Sequence, residues 1–176
     1  MTGGTGALLH DARFRVRMDV RRLVRYHLAL TDRYADYFDG SCSWSELSEN
    51  HETSHNTIAN VSMHMANMED WWLHYVVPGK EWDGPAWDGA KRVADVTGRM
   101  REVAARTRAL LDGLADEEMR RKRTLPVGED KREVTLEDVL VEVLAEVTTH
   151  RGEVNAMLWR RDKEPPYVGF LEWAGA

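Results

Sequence analysis

Glu146 and His150 stand four residues apart in TLEDVLVEVLAEVTTHRGEVNAMLWRR, Thr135 to Arg161, a stretch otherwise apolar at helical spacing. Side chains at that separation share one side of a helix on adjacent turns, so the pair could chelate one ion. A carboxylate and an imidazole among apolar neighbours are costly unless paired or bound to metal. His64 has a similar setting in SHNTIANVSMHMANMEDWWLHYV, among Val61, Met65 and Met68. A lone histidine on an apolar face is more often a satisfied core residue. The plain alternative is therefore a Glu146–His150 hydrogen bond with His64 packed separately. The chemical reading is that two imidazoles and one carboxylate, from two packed helices, hold a metal and leave a fourth position open, as catalytic zinc sites do. Cys42 is the only cysteine, so there is no thiolate-rich zinc site and no internal disulfide, and any metal rests on histidine and carboxylate. Such ligands suit zinc, and also manganese, iron or nickel.

Other polar residues compete for a role. His27 lies on the stripe Val16, Val20, Leu23, Val24, Leu30, Tyr34 and Phe38. It could be a ligand, although a core or interface histidine is commoner. His51 and His55 are also four apart, but their surroundings are polar and turn-rich with no apolar face, so both read as exposed, at most at the mouth of a site. Arg151, next to His150, could hold an anionic group of a bound cofactor or form a surface or helix-terminal ion pair. Met63, Met65, Met68, Trp71 and Trp72 read as core residues that could also line a pocket beside the ion.

Four amphipathic helices are needed to position these groups, near 12–38, 54–76, 89–114 and 135–160. Thr135 and Asp138 form a capping box for the last, whose buried face is Val139, Leu140, Val143, Val147, Val154 and Met157. Asp88 is the expected cap of the third, followed by Val93, Val96, Met100, Val103, Thr107, Leu110 and Leu114. Residues 39–53 read as a loop, and 78–89 (PGKEWDGPAWDG) as a crossover carrying Trp82 and Trp87. Around Gly128-Glu129-Asp130 a short hairpin or extended loop is expected over 121–134. Its basic cluster (Arg120, Arg121, Lys122, Arg123, Lys131 and Arg132) is a solvated face or an attractor of an anionic ligand. Residues 1–10 read as a loose leader. Residues 162–176 read as an extended tail, because no helix passes through Pro165-Pro166. The expectation is one all-α domain, a four-helix bundle over residues 1–176.

Composition narrows the classes. A net charge of −6 argues against a general nucleic-acid binder. No run of about 20 apolar residues offers a membrane span. The start of the chain has no basic segment followed by an apolar run, so a cytoplasmic location is expected. Seven tryptophans and an aromatic tail are more apolar surface than one bundle comfortably buries, which points to a homodimer.

In its order of helices, and in the segments VSMHMANMEDWWL (with His64, Glu69 and Trp72) and EVTTHRGEVNAML (with His150-Arg151-Gly152-Glu153), the chain resembles the DinB-like superfamily over about residues 14–173. The resemblance implies a metal-binding four-helix bundle, often dimeric, with one histidine from the second helix and two ligands from the fourth. Many members carry His-x-x-x-His in the fourth helix, and here Glu146 stands at the first of those positions. The set His64, Glu146 and His150 is similar to that of the mycothiol-dependent maleylpyruvate isomerase branch, whose relatives transfer low-molecular-weight thiols such as mycothiol or bacillithiol. Neither that isomerase's additional C-terminal domain nor the large second domain of the related sulfoxide synthases is expected, so isomerisation itself is not implied. The function implied is a zinc-dependent S-transferase acting on a thiol and a small electrophile. The alternatives are a metal-dependent hydrolase or lyase on the same bundle, or a non-enzymatic dimeric metal- or ligand-binding stress protein.

Overall fold

A computed structural model describes residues 19–176. The expected leader, and the part of the first helix before Asp19 with Arg13, Val16 and Arg17, lie outside the described residues. Asp19 caps helix α1, Val20–Ser41, by accepting from the Arg21 backbone N–H at 3.1 Å. The helix runs three residues beyond its expected end and buries Val24, His27, Leu28, Tyr34 and Phe38.

The expected loop over 39–53 contains a further turn of helix, α2, Trp44–Leu47. Ser43 and Glu46 form a capping box around it and Leu47 is fully buried, so local capping and one apolar anchor suffice for four residues. Helix α3 spans Ile58–Asp70, four residues shorter at its start than the sequence suggests. Asn56 takes a left-handed φ of 65°, which interrupts any helix there, and Thr57 becomes the cap. The helix then widens into a π-helical stretch, Trp71–Val76.

Helix α4 is Val93–Asp112. Asp88 does not cap it; instead Asp95 reaches back to accept from the Lys91 N–H at 2.9 Å. A short α5, Asp116–Arg120, leads into antiparallel strands β1, Arg123–Val127, and β2, Asp130–Val134. Val127 pairs with Asp130, leaving a two-residue turn whose first residue, Gly128, has φ 63°. The basic residues of this hairpin are partly neutralised: Lys122 pairs with Glu133, and Arg121 and Arg123 pair with Glu118.

Helix α6, Leu136–Trp159, begins at the Thr135/Asp138 capping box as expected. The chain stays non-helical through Pro165-Pro166, but the tail is not extended to its end, because Phe170–Ala174 form a short helix, α7. Tyr26 explains the return: its hydroxyl donates to the Val168 carbonyl at 2.6 Å and its ring packs on Phe170 and Trp173.

The architecture is an all-α bundle in which α1 and α3 each pack against both α4 and α6. Phe38, Leu28, Ile58, Val61, Val96 and Leu140 fill its centre. A buried ion cluster fixes α3 against α4. Asp70, with no exposed surface, lies 2.6 Å from Arg99 and 2.7 Å from Arg106, and Arg99 also donates to Asn67 at 2.8 Å. Among the described residues no helix is long and apolar enough to cross a membrane.

Neighbours on α6 test this placement. Leu140 is fully enclosed while Val141 is half exposed. Leu140→Ala is expected to reduce unfolding free energy by about 2–5 kcal/mol, and Val141→Ala by no more than about 0.5 kcal/mol, both read by urea denaturation. Equal losses would contradict the orientation of α6.

Candidate metal centre

α3 and α6 bring His64, Glu146 and His150 together. His64 Nε2 lies 3.4 Å and His150 Nε2 3.1 Å from the same atom, Glu146 Oε1. Ligands of a tetrahedral ion held at about 2.0–2.1 Å stand about 3.4 Å apart, so the two spacings suit co-ligands as well as direct hydrogen bonds. The cluster sits at the edge of the bundle. The His150 side chain is 10% exposed and that of His64 19%, but that of Glu146 is 40% exposed. Glu146 is therefore not the buried carboxylate that the apolar pattern suggests, and its burial alone does not demand an ion.

A fourth group joins them. His55, expected to be exposed, is half-buried on the segment before α3, with its ring stacked 4.0 Å from that of His64 and edge-on to that of His150 at 5.0 Å. One ligand atom from each of His55, His64 and His150 can be chosen so that all lie within 4.8 Å of one another. His51 is half-buried too, although it does not enter this group.

Electrostatics favour neutral imidazoles facing an ionised carboxylate. Burial lowers the pKa of His64, opposed by its hydrogen bond to Glu146. Burial also lowers that of His55, reinforced by the neighbouring His64 and His150. Burial pushes Glu146 up, but the two imidazoles outweigh it and hold the group below its ordinary value. Behind the cluster, Glu153 Oε2 lies 3.4 Å from His150 Nδ1, a buried nitrogen with no hydrogen-bond partner. A metal on Nε2 would place the ring proton on Nδ1, toward that carboxylate, the usual support of a histidine ligand. The residues present thus fit a divalent ion.

Beside the cluster runs an open groove of about 470 Å³, lined by His55, His64, Asn60, Trp87 and Asp88 among others. The Trp87 ring lies 5.4 Å from His64 and stacks on Trp82 at 5.8 Å, so the 78–89 crossover supplies an aromatic wall.

The profile of the DinB superfamily matches residues 19–154. The chain belongs to the DinB superfamily. A crystal structure of a DinB-like protein from Bacillus cereus ATCC 10987 is similar in fold, with a TM-score of 0.66 at 16% identity over 82% of this chain and 92% of that one. No curated protein matches the sequence.

In this DinB-superfamily chain the remaining candidates lie in the core. Among the described residues Arg151 forms no surface ion pair. It is buried, with NH2 2.7 Å from His27 Nδ1 and its guanidinium over the Tyr34 ring at 5.7 Å. A guanidinium can only donate, so His27 Nδ1 accepts and the ring proton is on Nε2. That N–H donates to Glu69 Oε2 at 2.8 Å, and Glu69 Oε1 accepts from the Thr107 hydroxyl at 2.5 Å. His27 is accordingly a satisfied core histidine rather than a ligand. A cavity of about 20 Å³, room for about one water, lies among His27, Tyr34, Ser62, Glu69 and Arg151.

Burial lowers the pKa of His27 below its ordinary 6.5, against the pull of Glu69. The unfolded chain therefore takes up a proton there that the folded chain does not. This contribution to stability is complete above about pH 6.5 and is lost as the pH falls below it. Urea midpoints are expected to drop between pH 7.5 and 5.5. His27→Gln should reduce that slope whatever its absolute stability, and an unchanged slope would show that His27 is not held neutral.

Proposed function

We propose that His64, Glu146 and His150 bind one divalent metal, with zinc the first candidate, and that the chain uses it to transfer a low-molecular-weight thiol to a small electrophile. The observation that carries the reading is geometric: two imidazole nitrogens converge within 3.4 Å of one carboxylate oxygen beside a groove open to solvent. A bound divalent ion would supply the positive charge that lets a thiol lose its proton near neutral pH.

The protein groups have separable tasks. His64 and His150 offer ring-nitrogen lone pairs, and Glu146 brings the negative charge that partly balances a dication. Glu153, 3.4 Å from His150 Nδ1, would support that ring once Nε2 holds the ion. Trp87 offers an apolar face against which an electrophile can lie, and Asn60 and Asp88 offer polar contacts along the same groove. The thiol class is supported by the likeness of this His/Glu/His set to that of the mycothiol-dependent isomerase branch.

Purified protein titrated with zinc is expected to take up one equivalent per chain. His64→Ala should abolish uptake. Glu146→Gln, which keeps shape but loses the anionic ligand, should weaken it strongly. No uptake by the wild type, or unchanged uptake by His64→Ala, would remove the site and the transferase reading with it. Metal analysis of the protein as isolated distinguishes zinc from manganese, iron and nickel. A panel of mycothiol, bacillithiol and simple thiols with electrophiles then tests the chemistry. A chelator-induced fall in thermal stability with no thiol adduct in any combination would identify an ion that only steadies the helices.

Self-association belongs to the same proposal. Val141 and Trp159 on α6, and Tyr167 and Leu171 near the C-terminus, remain exposed large apolar residues. Light scattering at micromolar concentration should give the mass of a dimer, and a monomer would refute this part.

A further inference from the structure

We propose that His55 is a fourth protein ligand of the metal, one that occupies the exchange position in the resting protein and gives it up to an incoming thiol. This rests on the metal site proposed above and adds a regulator to it.

Three observations carry the inference. His55, His64 and His150 present ligand atoms within 4.8 Å of one another, close enough for three imidazoles to share one ion with small side-chain movements. Imidazole stacked on imidazole at 4.0 Å, with no side-chain hydrogen bond to His55 among the described residues, is an arrangement to which a shared cation gives a purpose. Contacts on either side of His55 keep its backbone beside the cluster. Ser54 donates to both oxygens of Glu153 on α6, at 3.0 and 3.2 Å, and the Thr57 N–H donates to the His55 carbonyl at 2.8 Å.

The four candidate ligands differ in how they can leave. His64, Glu146 and His150 are held in the backbone hydrogen-bond ladders of long helices. His55 lies on the segment between α2 and α3, where Glu52 and Asn56 both take left-handed φ values of 56° and 65°. Residues 51–57 are non-helical, so no helical backbone ladder fixes His55 as it fixes the other three. With His55 engaged, the site has three nitrogens and one oxygen and is closed, as structural zinc sites are. With His55 released it gains the open position that chemistry requires. A bound thiol would take the place vacated by the His55 nitrogen, and the freed imidazole would stand beside it as the acceptor for its proton. Mass and charge balance with no further reagent.

The test compares wild type, His55→Ala, His55→Gln and His64→Ala, each freed of metal and reloaded with Co²⁺ or Zn²⁺. Tetrahedral cobalt lacks a centre of symmetry and absorbs visible light more strongly than six-coordinate cobalt. Wild type should show the strong spectrum, and both His55 variants one with displaced bands, because a water oxygen replaces the imidazole nitrogen at the vacated position. Zinc competition with a chelator should show the His55 variants binding at least about 10-fold more weakly, the loss that even an outer-shell partner causes. In wild type labelled with ¹⁵N-histidine, zinc should shift a His55 ring nitrogen, and added 2-mercaptoethanol should return it toward the free position. Unchanged affinity and spectrum in both variants, or a His55 resonance that zinc leaves unmoved, would overturn the proposal and leave the three-ligand site standing. A wild type that binds neither ion would overturn both. If the variants fail to fold, the wild-type resonance decides alone.

Discussion

One buried hydrogen-bonded chain joins all four long helices. Arg151 of α6 donates to His27 of α1, His27 donates to Glu69 of α3, and Thr107 of α4 donates to the same carboxylate. Every member is less than a tenth exposed. Buried networks of this kind are high-stakes, since a group that loses its partner in a low-dielectric interior is far costlier than one in water. Sliding α6 by one turn would leave a buried guanidinium without its acceptor, a cost of about 1.5–3 kcal/mol for a hydrogen bond made by a charged group. Apolar packing alone is less selective, because Val and Leu faces tolerate a shift that keeps volume and pattern. Arg151 is the next residue after His150, and Glu69 follows His64 by little more than one turn. The register that this network sets is therefore the register that puts His64 opposite His150.

Asp70 applies the same logic one residue further along α3. It is clamped by two arginines of α4 and is followed at once by the π-helical stretch Trp71–Val76. Widened turns of this type admit an extra residue per turn and are frequent near functional sites. Here Leu73 and Val76 still reach the core beyond the widened segment. Fixed polar contacts at residues 67–70 and apolar burial at 73–76 are both met, although a regular α-helix would carry the second group at a different phase.

What was readable in the sequence follows from which interactions are local. The helices were readable because a 3.6-residue period and capping boxes are local signals, and α6 begins at the predicted Thr135/Asp138 box. Glu146 and His150 were readable as a pair for the same reason, and His64 by being polar on an apolar stripe. Helix α2 carried a readable capping box at Ser43 and Glu46, but four residues fall below the length at which periodicity can be seen. Asp88 misled because the Pro/Gly-rich crossover continues to residue 92 and Asp95 takes over at the start of α4. His55 was readable only as a residue at the mouth of a site, and the burial of Arg151 was not readable. The surroundings of His55 are created by α3 and α6 folding over a turn-rich segment, and the partner of Arg151 is 124 residues away.

The two polar clusters differ in a way that assigns their roles. Around His27 the bonding atoms are matched: the arginine donates, the imidazole both accepts and donates, and the carboxylate takes two donors. Beside it the buried Ser62 hydroxyl, which has no hydrogen-bond partner, lines a space of about one water. Around His64 the accounts are open. One carboxylate oxygen faces two imidazoles, a third imidazole is merely stacked, His150 Nδ1 is buried with no hydrogen bond, and the Glu146 side chain is 40% exposed. A fully matched cluster in the core resists change, which is what a scaffold needs. An under-matched cluster at the edge, held in position by that scaffold, is where the proposed ion would find unused lone pairs.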